Sequence, residues 1–175
     1  MSSIIRFFAA GVLATLLFTG NVFAQKHTTL EIRGVVQKPR TWTVEDVRKH
    51  FAEEIRTVKS TVGRENQERT STGIPLISLL RNAEPKVNEL PKNHIQTFIV
   101  LLEAHDGFRA YYTFAELAFD EKENPAMLVW EENGKPIPDN EAPFRMRARA
   151  SGDRNLYGIT RITLIDGARL AESMK

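Results

Sequence analysis

Arginine recurs at every second position in Arg145-Met146-Arg147-Ala148-Arg149, directly after Ala142-Pro143-Phe144. In an extended strand, side chains alternate between faces. Arg145, Arg147 and Arg149 then share one face, and Met146, Ala148 and Ala150 share the other. A guanidinium donates hydrogen bonds in a planar fork that matches the oxygen pair of a carboxylate or phosphate, so this face suits an anion. It equally suits water, because charged residues at alternating strand positions commonly line the wet side of a sheet. Two further arginines, Arg64 and Arg69, lie in the polar stretch 63–72, where they can meet a bound anion or be neutralised by Glu65 and Glu68. His105-Asp106 invites metal or acid–base chemistry. Adjacent residues point in different directions, however, and no third ligand lies at a useful spacing, while Asp before Gly107 is a turn former. His27, His50 and His94 are scattered and make no three-histidine pattern.

Composition removes several classes of chemistry. The chain has 175 residues and no cysteine, which excludes a disulfide, a thiolate nucleophile and a thiolate metal ligand. Arg6 is the only charge ahead of an apolar run over residues 7–18, too short for a transmembrane helix of ~20 residues. Small or modest side chains at Val22 and Ala24 suit a signal peptidase. Residues 1–24 are therefore expected to be a signal peptide, and residues 25–175 a single secreted or periplasmic domain with no membrane insertion after cleavage. Without Arg6, 23 of the 24 basic residues stand against 22 acidic ones, a near balance that argues against nucleic acid as a partner.

The elements that must position these residues follow from periodicity and punctuation. Residues 30–36 alternate apolar and polar and predict a half-buried strand. Thr43-Val44-Glu45-Asp46 is a capping-box pattern opening a short helix with Val44, Val47 and Phe51 on one face. Residues 55–62 are β-prone, and residues 63–72 read as an exposed loop. Gly73-Ile74-Pro75-Leu76 opens a second helix with Pro75 in its first turn. The run Phe98-Ile99-Val100-Leu101-Leu102 predicts a core strand covered on both faces. Asp106-Gly107 turns it into a hairpin with residues 108–112, and Thr113-Phe114-Ala115-Glu116 is a second capping box. A strand over 126–131 meets the hairpin signal Asn133-Gly134. A proline-rich loop over 135–143 leads into the arginine strand, Ser151-Gly152-Asp153 turns the chain back, and residues 159–165 form the closing strand. Strands interrupted by short helices predict a mixed-sheet α+β domain.

The order Gly34-Val35-Val36 with Pro39, Gly73-Ile74-Pro75-Leu76 with Leu79-Leu80, His105-Asp106-Gly107-Phe108, Asn133-Gly134-Lys135-Pro136, Ala142-Pro143-Phe144-Arg145 and Ile159-Thr160-Arg161-Ile162 resembles the molybdopterin-binding oxidoreductase domain of the sulfite-oxidase family, in its small secreted form. The resemblance spans residues 30–165 and implies the mixed α+β sulfite-oxidase fold. It implies molybdopterin as cofactor, with molybdenum held by the pterin dithiolene and one protein cysteine in or just after Thr57-Val58-Lys59-Ser60-Thr61. This chain has no cysteine there or elsewhere. Ser60 or Thr61 would be a hard oxygen ligand, and an unassisted hydroxyl rarely ionises. The family's aromatic position ahead of Gly73 is also lost, with Ser71 and Thr72 in its place.

By resemblance Arg145 is the pocket arginine that meets the pterin or phosphate end of the cofactor, and the loop with Arg64 and Arg69 runs on the cofactor side. Arg147 and Arg149 occupy positions that are usually apolar in the family. Three readings follow: a non-catalytic binding or sensory module, a molybdenum oxidoreductase with a non-cysteine metal ligand, and an assembly factor without a small ligand. The candidate binding residues are Arg145, Arg147, Arg149, Arg64, Arg69 and His105, with no catalytic or metal-ligating residue assigned. Expected partners are a small anionic or pterin-like ligand and a membrane sensor or electron-transfer protein.

Overall fold

The computed structural model describes residues 27–62, 67–89, 92–119, 125–148 and 155–175. The leader, Arg64, Arg149 and the turn at 151–153 lie outside them. Ten strands and four α-helices, with three short 3-10 turns between them, follow one another along the described residues. In order they are β1 (Thr29–Gly34), β2 (Arg40–Thr43), α1 (Val44–His50), β3 (Arg56–Val62), β4 (Gln67–Pro75), α2 (Leu76–Asn82), β5 (Phe98–Ala104), β6 (Arg109–Thr113), α3 (Phe114–Phe119), β7 (Met127–Glu132), β8 (Lys135–Pro136), β9 (Arg145–Arg147), β10 (Ile159–Asp166) and α4 (Gly167–Glu172).

Two sheets result, with short helices beside them. The first has the order β2-β1-β10-β5-β6, and its only parallel pair is β1 with β10. The second has the order β3-β4-β7, after which β8 and β9 share the remaining edge of β7. Leu30, Ile32, Phe98, Val100, Leu102, Ile162 and Leu164 of the first sheet pack in one buried cluster with Leu76, Leu79 and Leu80 of α2 and with Leu128, Trp130, Phe144 and Met146. Burying this apolar surface is the main stabilising term, worth about 25 cal/mol for each Å² removed from water. Glu31, Arg161, Glu103 and Arg109 form a cross-strand row of alternating charge on the opposite face of the first sheet. Arg161 lies 2.9 Å from Glu31, and Arg109 lies 3.1 Å from Glu103.

The local signals read from sequence act as the chemistry requires. The Thr43 hydroxyl accepts the Asp46 N–H at 3.1 Å, and the Asp46 carboxylate accepts the Thr43 N–H at 3.1 Å, which closes the capping box of α1. Thr113 accepts the Glu116 N–H at 3.0 Å at the start of α3. Asn133 and Gly134 both have positive φ, 50° and 72°, as a tight hairpin between β7 and β8 demands.

Three expectations need correction. Residues 67–72, read as loop, belong to β4, because β3 pairs with all of them, and β7 pairs with Ser71 and Thr72 while Asn133 bonds Thr70 on the other edge, despite polar side chains. Gly73 and Pro75 close that strand, so Pro75 is the N-cap of α2 and stands outside its first turn. β5 alternates buried and half-buried positions, so only one of its faces is fully covered.

His94 is the most enclosed histidine, 2% exposed. Its Nδ1 accepts the Asn88 N–H at 3.0 Å, and its Nε2 lies 3.0 Å from Asp166. Asp166 also caps α4 by accepting the Arg169 N–H at 3.1 Å. Burial alone would raise the Asp166 pKa. The Arg169 amide and the His94 ring outweigh it and hold the carboxyl below the usual aspartate range. A carboxylate whose pKa is depressed by folding stabilises the fold above its unfolded pKa and loses that contribution as pH falls through the folded value. Urea midpoints are therefore expected to hold from pH 7 to about 5 and to drop below about pH 4, near the ordinary aspartate pKa. Asp166→Asn should flatten this acid limb, and an unchanged limb would remove Asp166 from the account.

Candidate functional site: an arginine face inside the second sheet

Directly paired residues share a sheet face. The register Arg147↔Met127 and Arg145↔Val129 therefore sets both guanidinium groups on the side of Met127 and Val129. Those two apolar residues are fully buried with Ile137 and packed against Val58 of β3, so this is an inner, covered face. Met146, on the opposite face, enters the main core. Both faces of β9 are covered at Arg145, which is only 8% exposed, while Arg147 is half-buried. Of the two readings of the arginine face, water alone does not describe Arg145.

A break in register brings the acidic partner to the same side. Thr72 pairs with Glu131 and Gly73 with Val129, so Trp130 is an extra residue in β7, a β-bulge. Past the bulge, Ser71 pairs with Glu132, which shares the face of Val129, Arg145 and Arg147. Gly73 makes the close approach feasible, since a Cβ there would collide with the backbone carbonyl of Leu128.

Arg145 is clamped by two carboxylates. Its Nη2 lies 2.7 Å from Glu132 Oε1, and its Nη1 donates to Glu141 Oε2 at 3.0 Å. Its guanidinium carbon stands 5.5 Å from the Tyr157 ring centroid. Arg69 Nη1 shares Glu132 Oε1 at 3.4 Å. Burial opposes charge on Glu132, but the Arg145 hydrogen bond and the charges of Arg145 and Arg69 prevail and lower its pKa. Burial likewise opposes the Arg145 cation, and Glu132 and Glu141 prevail to raise its pKa. Arg147 is different. Its hydrogen bond among the described residues goes from Nη2 to the Lys59 carbonyl at 3.4 Å, and burial followed by the charge of Arg145 lowers its pKa.

Arg69, Arg145 and Arg147 thus converge on one face. His105 does not join them in its described contacts. Its Nε2 meets the Asn140 carbonyl at 3.0 Å, its backbone N–H donates to the Gly158 carbonyl at 2.9 Å, and its ring stacks on His27 with centroids 4.9 Å apart. Asp106 serves the turn, accepting the Phe108 N–H at 2.9 Å. Arg64 and Arg149 lie outside the described residues. Glu132, Glu141 and Tyr157 carried no anion-site signal in the sequence, because their roles depend on the bulge and on the loops at 139–141 and 155–158. Trp42, Tyr112 and Trp130 are core residues, while Phe108, Tyr111 and Tyr157 are exposed.

The family model for the oxidoreductase molybdopterin binding domain matches residues 19–170. The chain belongs to the oxidoreductase molybdopterin-binding domain family. Among solved structures, the chain is similar to the sulfane dehydrogenase SoxCD from Paracoccus pantotrophus, with a TM-score of 0.59 and 18% identity over 81% of this chain. The match spans 39% of that SoxCD chain, and at this identity it speaks for the fold. No curated protein sequence matches the chain.

The residues present do not fit a thiolate-anchored member of the molybdopterin-binding domain family. The segment that the resemblance assigns to the metal ligand is an unbroken strand, paired from Thr57↔Thr72 to Val62↔Gln67. It has no sulfur donor, and the chain has no cysteine. The arginine that resembles the cofactor-binding one already holds two carboxylates. Among the described residues, no three acidic or histidine side chains gather as a metal site would require.

Proposed function

We propose that this chain is a binding module of the molybdopterin-binding domain family, exported from the cytoplasm, which holds a small anion and does not perform thiolate-anchored oxo transfer. The observation that carries this reading is the continuous β3–β4 ladder through residues 57–62 in a cysteine-free chain, beside a covered face rich in arginine. Molybdenum favours a soft sulfur ligand, and a neutral hydroxyl is a poor substitute. The inner face offers guanidinium donors in reduced dielectric, where charge-assisted hydrogen bonds strengthen. Export is supported by the leader-like apolar run. The test is turnover by protein purified from a host competent in molybdenum-cofactor synthesis and export, with sulfite as substrate and an artificial electron acceptor. No turnover above buffer is expected. Sustained turnover would establish the oxidoreductase reading instead.

A further inference from the structure

We propose that Arg147 is the anion-binding residue of the inner face, and that its ligand is a small oxyanion such as a carboxylate, sulfate or phosphate group. This rests on the reading of the arginine face as a binding surface. Three described guanidinium groups meet there, Arg69, Arg145 and Arg147, against two carboxylates, Glu132 and Glu141. Both carboxylates are bound to Arg145, and Glu132 also faces Arg69. Among the described residues one positive charge is left over, and geometry assigns it to Arg147.

Arg147 is half-buried, yet its hydrogen bond among the described residues is a long one to a neutral carbonyl. Removing a cation from water without a counter-charge is unfavourable, and such groups are normally paired. An internal pair is what the chain provides for Arg145 on the same strand, so the contrast lies within one three-residue stretch. The guanidinium presents several N–H donors and no acceptor, which selects an oxygen-bearing anion. Arg145 contributes indirectly. Its charge is cancelled by Glu132 and Glu141, so it fixes the strand and the position of Arg147 while leaving the anion to the second arginine.

The test titrates acetate, sulfate and phosphate separately into the full secreted chain at constant low ionic strength, following calorimetric heat and thermal midpoint. At least one of the three should bind and raise the midpoint. Arg147→Met should weaken that binding about tenfold or more, the effect expected for one hydrogen bond to a charged group. Arg147→Lys should bind with intermediate strength, and Arg161→Met, on the far face of the first sheet, should bind as the wild type does. In buffer free of these anions, Arg147→Met should be at least as stable as the wild type, because it removes a cation that has no carboxylate partner among the described residues. A merely structural arginine would show the opposite sign. Unaltered binding by Arg147→Met, or a loss of stability in anion-free buffer, overturns the assignment. A molybdenum-free protein that ignores all three anions also loses this assignment, whereas molybdenum bound one to one overturns the reading beneath it.

Discussion

Replacing Arg145 by methionine is expected to cost the fold about 3 kcal/mol, read as a fall in thermal midpoint of roughly 6–12 °C for a domain of this size. The substitution keeps most of the apolar stem and deletes the cation, so Glu132 and Glu141 are left facing each other without the charge that held them. Breaking a buried pair typically costs 3–5 kcal/mol, and the lower end applies here because the two side chains retain 20% and 21% exposure. Arg69 remains beside Glu132 at 3.4 Å and compensates only that carboxylate. The double variant Arg145→Met with Glu132→Gln should be more stable than Arg145→Met alone, since it removes one of the stranded charges. Arg145→Lys should recover little, because a single ammonium cannot reproduce a fork that reaches two carboxylates at once. A loss under about 1 kcal/mol for Arg145→Met would mean that the network behaves as a surface ion pair.

Gly73→Ala tests the backbone that shapes the same face. A methyl group there meets the Leu128 carbonyl across the β4–β7 ladder, with backbone on both sides and no flexible side chain to give way. The strands must separate or the bulge must move, and overpacking of this kind costs typically 1–3 kcal/mol. We expect at least about 2 kcal/mol, because relief requires breaking ladder hydrogen bonds next to Trp130. The displaced bulge should also shift β7 against β9 and move Arg147 from its place opposite Met127. Anion binding should then weaken together with stability, and chemical denaturation with parallel titration measures both. A variant of wild-type stability and affinity would show that the close approach is not required.

Legibility of the sequence followed the range of the interaction. The capping box at Thr43, the Asn133-Gly134 hairpin and the closing strand ending at Asp166 depend on residues a few positions apart, and periodicity or turn chemistry reveals them. β4 was not legible, because its polar residues form a strand only through partners distant in sequence, β3 along its length and β7 from Ser71 on. The arginine alternation predicted a shared face correctly for Arg145 and Arg147. Which side that face looked to was decided by Val58 packing against Met127 and Val129, contacts spanning about half of the domain's sequence. Glu132 was invisible as a partner because simple alternation sets it on the other side of β7, and one bulged residue reverses this. The family resemblance carried the fold well. The residue that defines the family's metal chemistry is the one this chain lacks.

The ratio of molybdenum to protein, measured by elemental analysis on chain purified from a cofactor-competent host, tests the central claim most directly. A binding module whose metal-anchoring segment has become a plain hairpin strand predicts molybdenum far below one atom per chain. One atom per chain, retained through gel filtration, would contradict it.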